Sequence, residues 1–112
     1  MAVARRPFLR GDVCLIQLDP TRGSEIRKTR PCLVISPDEL NQHLRTLVVA
    51  PMTTGGNVFP WRIACRFQNR AGFVAIDQIR TVDAERISKR LGHIHPTTLA
   101  SVLKILQEMF SL

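Results

Sequence analysis

A chain of 112 residues, 45% of them hydrophobic, has the size of a single domain spanning 1–112 with one core. No apolar run approaches the roughly 18 residues that cross a bilayer, and the N-terminal MAVARRPFLR lacks the apolar centre of a secretory signal, so residues 1–7 read as a flexible tail. A formal net charge of +7 and a pI near 10.7 direct the protein toward polyanions, with nucleic acid first, an acidic protein second and a membrane surface last.

DVCLIQLD (12–19) is rich in β-compatible apolar residues and stops at Pro20, and PCLVIS (31–36) resumes the pattern after the basic loop RGSEIRKTRP (22–31). The two read as strands joined by a long loop. PDELNQHL (37–44) has Pro37 and two acids at its front, which suits a short helix or turn. TLVVAPMTT (46–54) returns to β character with Pro51 inside it, implying an edge or a bulge. GGN (55–57) is a flexible turn, FPWRIACRF (59–67) alternates in part, and GFVAIDQIRTVD (72–83) is one compact apolar run ending in polar residues. ISKRLGHI (87–94) suits a further strand or a turn of helix. From Pro96 onward Leu99, Val102, Leu103, Leu106, Met109 and Phe110 fall on one helical stripe, with His95 a weaker cap than Asp or Ser. The sum is mainly antiparallel β: a small barrel with a short internal helix and a C-terminal α-helix.

Cys14, Cys32 and Cys65 are odd in number and widely spaced, so neither a zinc knuckle nor a disulfide framework is indicated. Each sits in an apolar run, as a buried thiol of a reducing cytoplasm does. His93 and His95, in GHIHP, alternate as strand residues do and would face one side, as an acid–base pair or two metal ligands. No third ligand has suitable spacing, so a solvated turn is expected there and no metal.

Taken in order from about Phe8 to the C-terminus, GDVCLIQLDPTRGSEIRKTRPCLVIS, VVAPMTTGG, FVAIDQIRTVD and KRLGHI resemble the MazF/PemK family of toxin endoribonucleases. The most specific pieces are the G-D-V start, the D-P-T-x-G-S-E loop closing on T-R-P, and the D-Q-I-R-T-V-D block. The resemblance implies an SH3-like barrel of the CcdB/PemK type and a homodimer. It also implies metal-independent, cofactor-free and sequence-specific cleavage of single-stranded RNA, and inhibition by a small antitoxin, as in type II toxin–antitoxin systems. The net charge points to an acidic antitoxin tail that competes with RNA.

RNA can be cut without metal if one group takes the 2′-hydroxyl proton, another protonates the leaving 5′-oxygen, and cations stabilise charge on phosphorus. A guanidinium suits the phosphate because its planar fork donates two parallel hydrogen bonds. Arg30, held extended by Pro31, matches the family's catalytic arginine, and Thr53 its companion hydroxyl. Some PemK-like members use an acid at the position of Asp77 with an arginine two residues earlier, where this chain has Ala75. That departure shifts weight to Arg30 and Thr53 and leaves Asp77 supporting, as a base, a turn cap or the partner of Arg80, while Arg80 is itself a supporting candidate that either binds phosphate or pairs with Asp77. Some members also carry a histidine at the position of Ser24. Glu25 is either a proton acceptor or a loop anchor paired with Arg27 or Arg30. Arg22, Arg27, Lys28, Thr54 and Arg62 are candidate RNA contacts. Phe59 and Trp61 are an aromatic cluster for bases, for the core or for a dimer. Two other functions fit the same charge: a non-catalytic gyrase poison like CcdB, and an inactive nucleic-acid-binding SH3-like module.

Overall fold

The computed structural model describes residues 7–56 and 58–112, so the expected tail, apart from Pro7, and Asn57 of the GGN turn lie outside it. Its elements in chain order are β1 (Asp12–Gln17), β2 (Thr29–Val34), α1 (Asp38–His43), β3 (Thr46–Thr53), β4 (Arg62–Phe67), β5 (Arg70–Ala75), β6 (Arg80–Asp83), β7 (Ile87–His93) and α2 (Pro96–Met109). Short 3₁₀ turns at Ile76–Gln78 and Ala84–Arg86 flank β6. The described strands form one antiparallel sheet in the order β4-β5-β3-β2-β1-β7, with β6 also paired to β3.

The near-continuous apolar runs of β1, β2 and β3 follow from burial on both faces. Val13, Leu33, Ala50 and Met52 join one core with Val74, Ile76, Ile94 and Val102, while Cys14, Ile16, Cys32, Val34, Leu47 and Val49 join a second with Leu18 and Val82. Successive residues alternate between the two, as the period of a strand requires. α2 closes the first core: Val102 is fully buried, and Leu99, Ile105 and Leu106 pack around it. Pro96 opens that helix, and the Nδ1 of His95 caps it by accepting the Thr97 N–H at 3.2 Å. No helix among the described residues is long and apolar enough to cross a membrane.

The structure refines the expectations at three places. The barrel is not closed by a continuous ladder, because β4 and β7 are the two ends of the strand order. Those ends meet through side chains: the Gln68 amide donates to the Leu91 carbonyl at 3.2 Å, and a Cβ on Gly92 would lie 3.2 Å from the Phe67 ring. Pro51 is not on an edge, since β3 is the central strand and Pro51 pairs with Cys32 of β2. On the other flank of β3, β6 pairs as far as Val49 and β5 begins at Met52, so Pro51 falls between two ladders, where no N–H is required of it. The run 72–83 is divided between β5 and β6, each paired with a different stretch of β3 and separated by the Ile76–Gln78 turn. The 87–94 segment is a strand, β7.

Candidate functional site

Where β5 and β6 part beside β3, they leave a cleft of about 520 Å³ lined by Ser24, Glu25, Ile26, Pro51, Asp77, Gln78, Ile79 and Arg80. A second cleft, about 320 Å³, is walled by residues that include Arg30, Met52, Thr53, Thr54, Phe67, Arg70 and Phe73. The end of β3 borders both. Continuing the β2–β3 register from Cys32↔Pro51 by two residues sets Arg30 opposite Thr53, beyond the last ladder pair. Sequence-distant residues thus share one cleft.

Arg30 is partly buried, and its Nε donates to the Arg27 carbonyl at 2.9 Å. Among the described residues no carboxylate pairs with it. The Thr53 hydroxyl is engaged only weakly, with the Gly55 N–H at 3.3 Å and the Gly55 carbonyl at 3.5 Å. A guanidinium and a lightly held hydroxyl that line one cleft are both groups able to donate to an anion with several oxygens. Gly72 supports the arrangement from behind, because a Cβ there would come within 2.6 Å of the Thr53 carbonyl.

Glu25, Asp77 and Arg80 gather in the larger cleft, but their bonds differ from those expected. Asp77 pairs with Arg62, not Arg80: Arg62 Nε donates to Oδ1 at 2.6 Å and Nη2 to Oδ2 at 2.9 Å. Arg62 lies directly opposite Ala75 in the β4–β5 ladder and reaches from that strand to the turn that follows β5. The Arg62 hydrogen bonds hold the Asp77 carboxyl below its usual range, so it is ionised at neutral pH. Arg80 instead donates to the Leu18 carbonyl at 3.1 Å, and Arg86 grips the Gln17 and Asp19 carbonyls at 3.2 and 2.6 Å. Glu25 pairs with neither Arg27 nor Arg30; its Oε1 accepts the Arg22 N–H at 2.6 Å within its own turn.

Gln78, which the sequence offered only as one letter of the D-Q-I-R-T-V-D block and with no role of its own, holds the basic loop in place. Its Oε1 accepts the Ile26 N–H at 2.6 Å and its Nε2 donates to the Ser24 carbonyl at 3.1 Å. One amide thus staples the basic loop to the 3₁₀ turn. Arg22, Arg27 and Lys28 stand exposed on that loop, outside both clefts. The two histidines are not a pair: His93 Nδ1 lies 3.1 Å from Asp12 Oδ1, while His95 caps α2. Asp12, 5% exposed, also meets Arg90 Nε at 3.1 Å and the Leu9 N–H at 2.9 Å, so the cluster ties the N-terminal segment to β7. Burial pushes the Cys14 thiol up to about 11 and the Cys32 thiol up to about 12, which leaves both protonated and unreactive at neutral pH.

Residues 9–110 match the family described as PemK-like, MazF-like toxin of type II toxin-antitoxin system. The chain belongs to the PemK/MazF toxin family. It is 38% identical over 100 residues to the endoribonuclease PemK of Escherichia coli, covering 84% of this chain and 75% of that one. It is also 38% identical over 97 residues to the endoribonuclease toxin ChpB of E. coli K12, covering 80% and 83%. Among solved structures, MazF of Deinococcus radiodurans superposes with a TM-score of 0.85 at 23% identity, covering 96% of this chain and 100% of that chain. An endoribonuclease bound to its cognate antitoxin, from a mycobacterial species, superposes with a TM-score of 0.76 at 25% identity, covering 89% and 91%.

Proposed function

We propose that this chain is the toxin of a type II toxin–antitoxin system, a cytoplasmic endoribonuclease that cuts single-stranded RNA in a sequence-specific way to stop translation and growth. What supports this most is the cleft that Arg30, with no carboxylate partner among the described residues, lines together with Thr53. A phosphodiester seated there receives the Arg30 fork on its non-bridging oxygens, with the Thr53 hydroxyl as a further donor. The neighbouring 2′-hydroxyl gives its proton to water as its oxygen attacks phosphorus, the bond to the 5′-oxygen breaks as that oxygen takes a proton from water, and the products are a 2′,3′-cyclic phosphate and a 5′-hydroxyl. Arg30 stabilises the charge gathered on phosphorus, a contribution worth roughly 10²–10³ in rate for one well-placed donor. Asp77, tied to Arg62, serves as structure, and Glu25, with one oxygen held by its own turn, lines the neighbouring cleft as a supporting carboxylate.

The remaining charges have a role in capture. Arg22, Arg27 and Lys28 on the loop, with Thr54 at the cleft, attract and seat the strand. The same surface suits an acidic antitoxin tail, in keeping with the antitoxin complexes of the solved relatives, and the protein works as a homodimer. The purified protein is expected to cut unstructured RNA in excess EDTA, and Arg30→Ala to abolish cutting with an unchanged circular dichroism spectrum. A requirement for added metal, or normal cutting by the variant, contradicts the mechanism. Intact RNA together with gyrase trapped on DNA would select the CcdB-like alternative, and intact RNA with salt-sensitive binding the inactive module.

A further inference from the structure

Phe59 and Trp61 stand on the turn that leads into β4. Their rings lie 5.4 Å apart between centroids and within 6° of parallel, yet Phe59 is 39% and Trp61 41% exposed. That exposure removes the core as their purpose. The Arg62 N–H donates to the Phe59 carbonyl at 3.0 Å, which closes a β-turn with Pro60 at the position its fixed φ suits. The Trp61 carbonyl accepts the Ile76 N–H at 2.9 Å, fastening the same turn to the 3₁₀ segment of the larger cleft. The stacked pair is therefore rigid before any partner arrives, and its neighbour Arg62 reaches Asp77 on the cleft wall.

We propose that Phe59 and Trp61 form a stacking platform for a base of the single-stranded RNA that flanks the cut bond; this rests on the ribonuclease reading above. Every base offers a π face, and a ring already fixed in place loses little entropy on accepting it. The surroundings favour RNA over protein. The platform leads into the β4–β5 hairpin, where Arg66 and Arg70 stand exposed and Arg70 lines the cleft of Arg30 and Thr53. A stable protein contact buries about 800 Å² on each partner, whereas the apolar surface here is limited to Val58, Phe59 and Trp61.

The chain has one tryptophan and no tyrosine, so its intrinsic emission reports position 61 alone. The full-length protein is titrated with an unstructured oligoribonucleotide made 2′-deoxy at its mapped cut position, while anisotropy of a label on the RNA follows binding independently. Quenching that saturates with the anisotropy is expected, and an abasic nucleotide beside the cut should remove the quench and weaken binding about 5- to 150-fold. Trp61→Ala should raise KM by a similar factor, and Trp61→Phe should restore most of it. Unmoved emission on RNA that binds and is cut, or an unchanged KM in Trp61→Ala, overturns the platform alone. Emission that changes on diluting the protein without RNA assigns the surface to a second copy and also overturns it. Absence of both binding and cutting overturns the ribonuclease reading and the platform with it.

Discussion

Arg62 and Asp77 show how one ion pair sets a protonation state. The two hydrogen bonds from Arg62 favour the charged carboxylate, so the folded pKa of Asp77 lies below its unfolded value. The stabilisation is therefore complete above the ordinary carboxylate range and is lost as pH falls through the lowered folded pKa. Arg62→Ala should return the Asp77 titration upward toward the usual 3.8, read by carbon NMR of its carboxyl, and an unmoved titration would contradict the pairing. Because the Asp77 side chain is 30% exposed and solvent screens the pair, the cost in fold stability should stay within about 1 kcal/mol. Both residues were legible as candidates in the sequence, but their pairing was not. Arg80 stands three positions from Asp77 and looked the natural partner, whereas Arg62 reaches it only through the register that sets it opposite Ala75. Glu25 misled for a similar reason: nearby guanidiniums drew attention, while a backbone N–H three residues away accounts for its bond.

At the scale of elements, the basic loop depends on the turn it faces. Gln78 supplies two hydrogen bonds to that loop, each worth about 0.5–1.5 kcal/mol. Gln78→Ala should release it, raising the hydrogen-exchange rate of the Ile26 amide, lowering kcat/KM by roughly tenfold and lowering the melting temperature by several degrees. Undiminished protection at Ile26 would remove Gln78 from this role. The strands of β1, β2 and β3 were readable because uninterrupted apolar runs are what two-sided burial demands. The helix α2 was readable from its stripe, of which Val102 is the fully buried member. Pro51 was misread as an edge residue, and the 72–83 run was left undivided, because their meaning lies in partners: β3 changes neighbours at Pro51, and β5 and β6 divide the run between them. That change of neighbours opens the larger cleft, so the feature hardest to see in the sequence is the one that makes room beside the site.

For the whole molecule, charge and architecture divide the work. The sheet buries its central strands on both faces, and its ends meet through Phe67, Gln68 and Gly92 without closing a ladder. Around that rigid centre a net charge of +7 is displayed largely by arginines, several of them on the loop and hairpin that border the clefts. Composition predicted the polyanion, and the family motifs predicted the arginine and the threonine. Only the fold brings Arg30 and Thr53 to one cleft, with the staple of Gln78 holding the basic loop beside it. The central claim is that this cleft cuts RNA by turning the substrate's own 2′-hydroxyl on the adjacent phosphorus. It is tested most directly with an oligoribonucleotide that carries a single 2′-deoxy nucleotide at the cut position, incubated with the protein in EDTA, the ends being identified by mass spectrometry. The account predicts that the all-ribose strand yields a 2′,3′-cyclic phosphate and a 5′-hydroxyl while the substituted strand stays whole; cutting of the substituted strand, or a 5′-phosphate end, would contradict it.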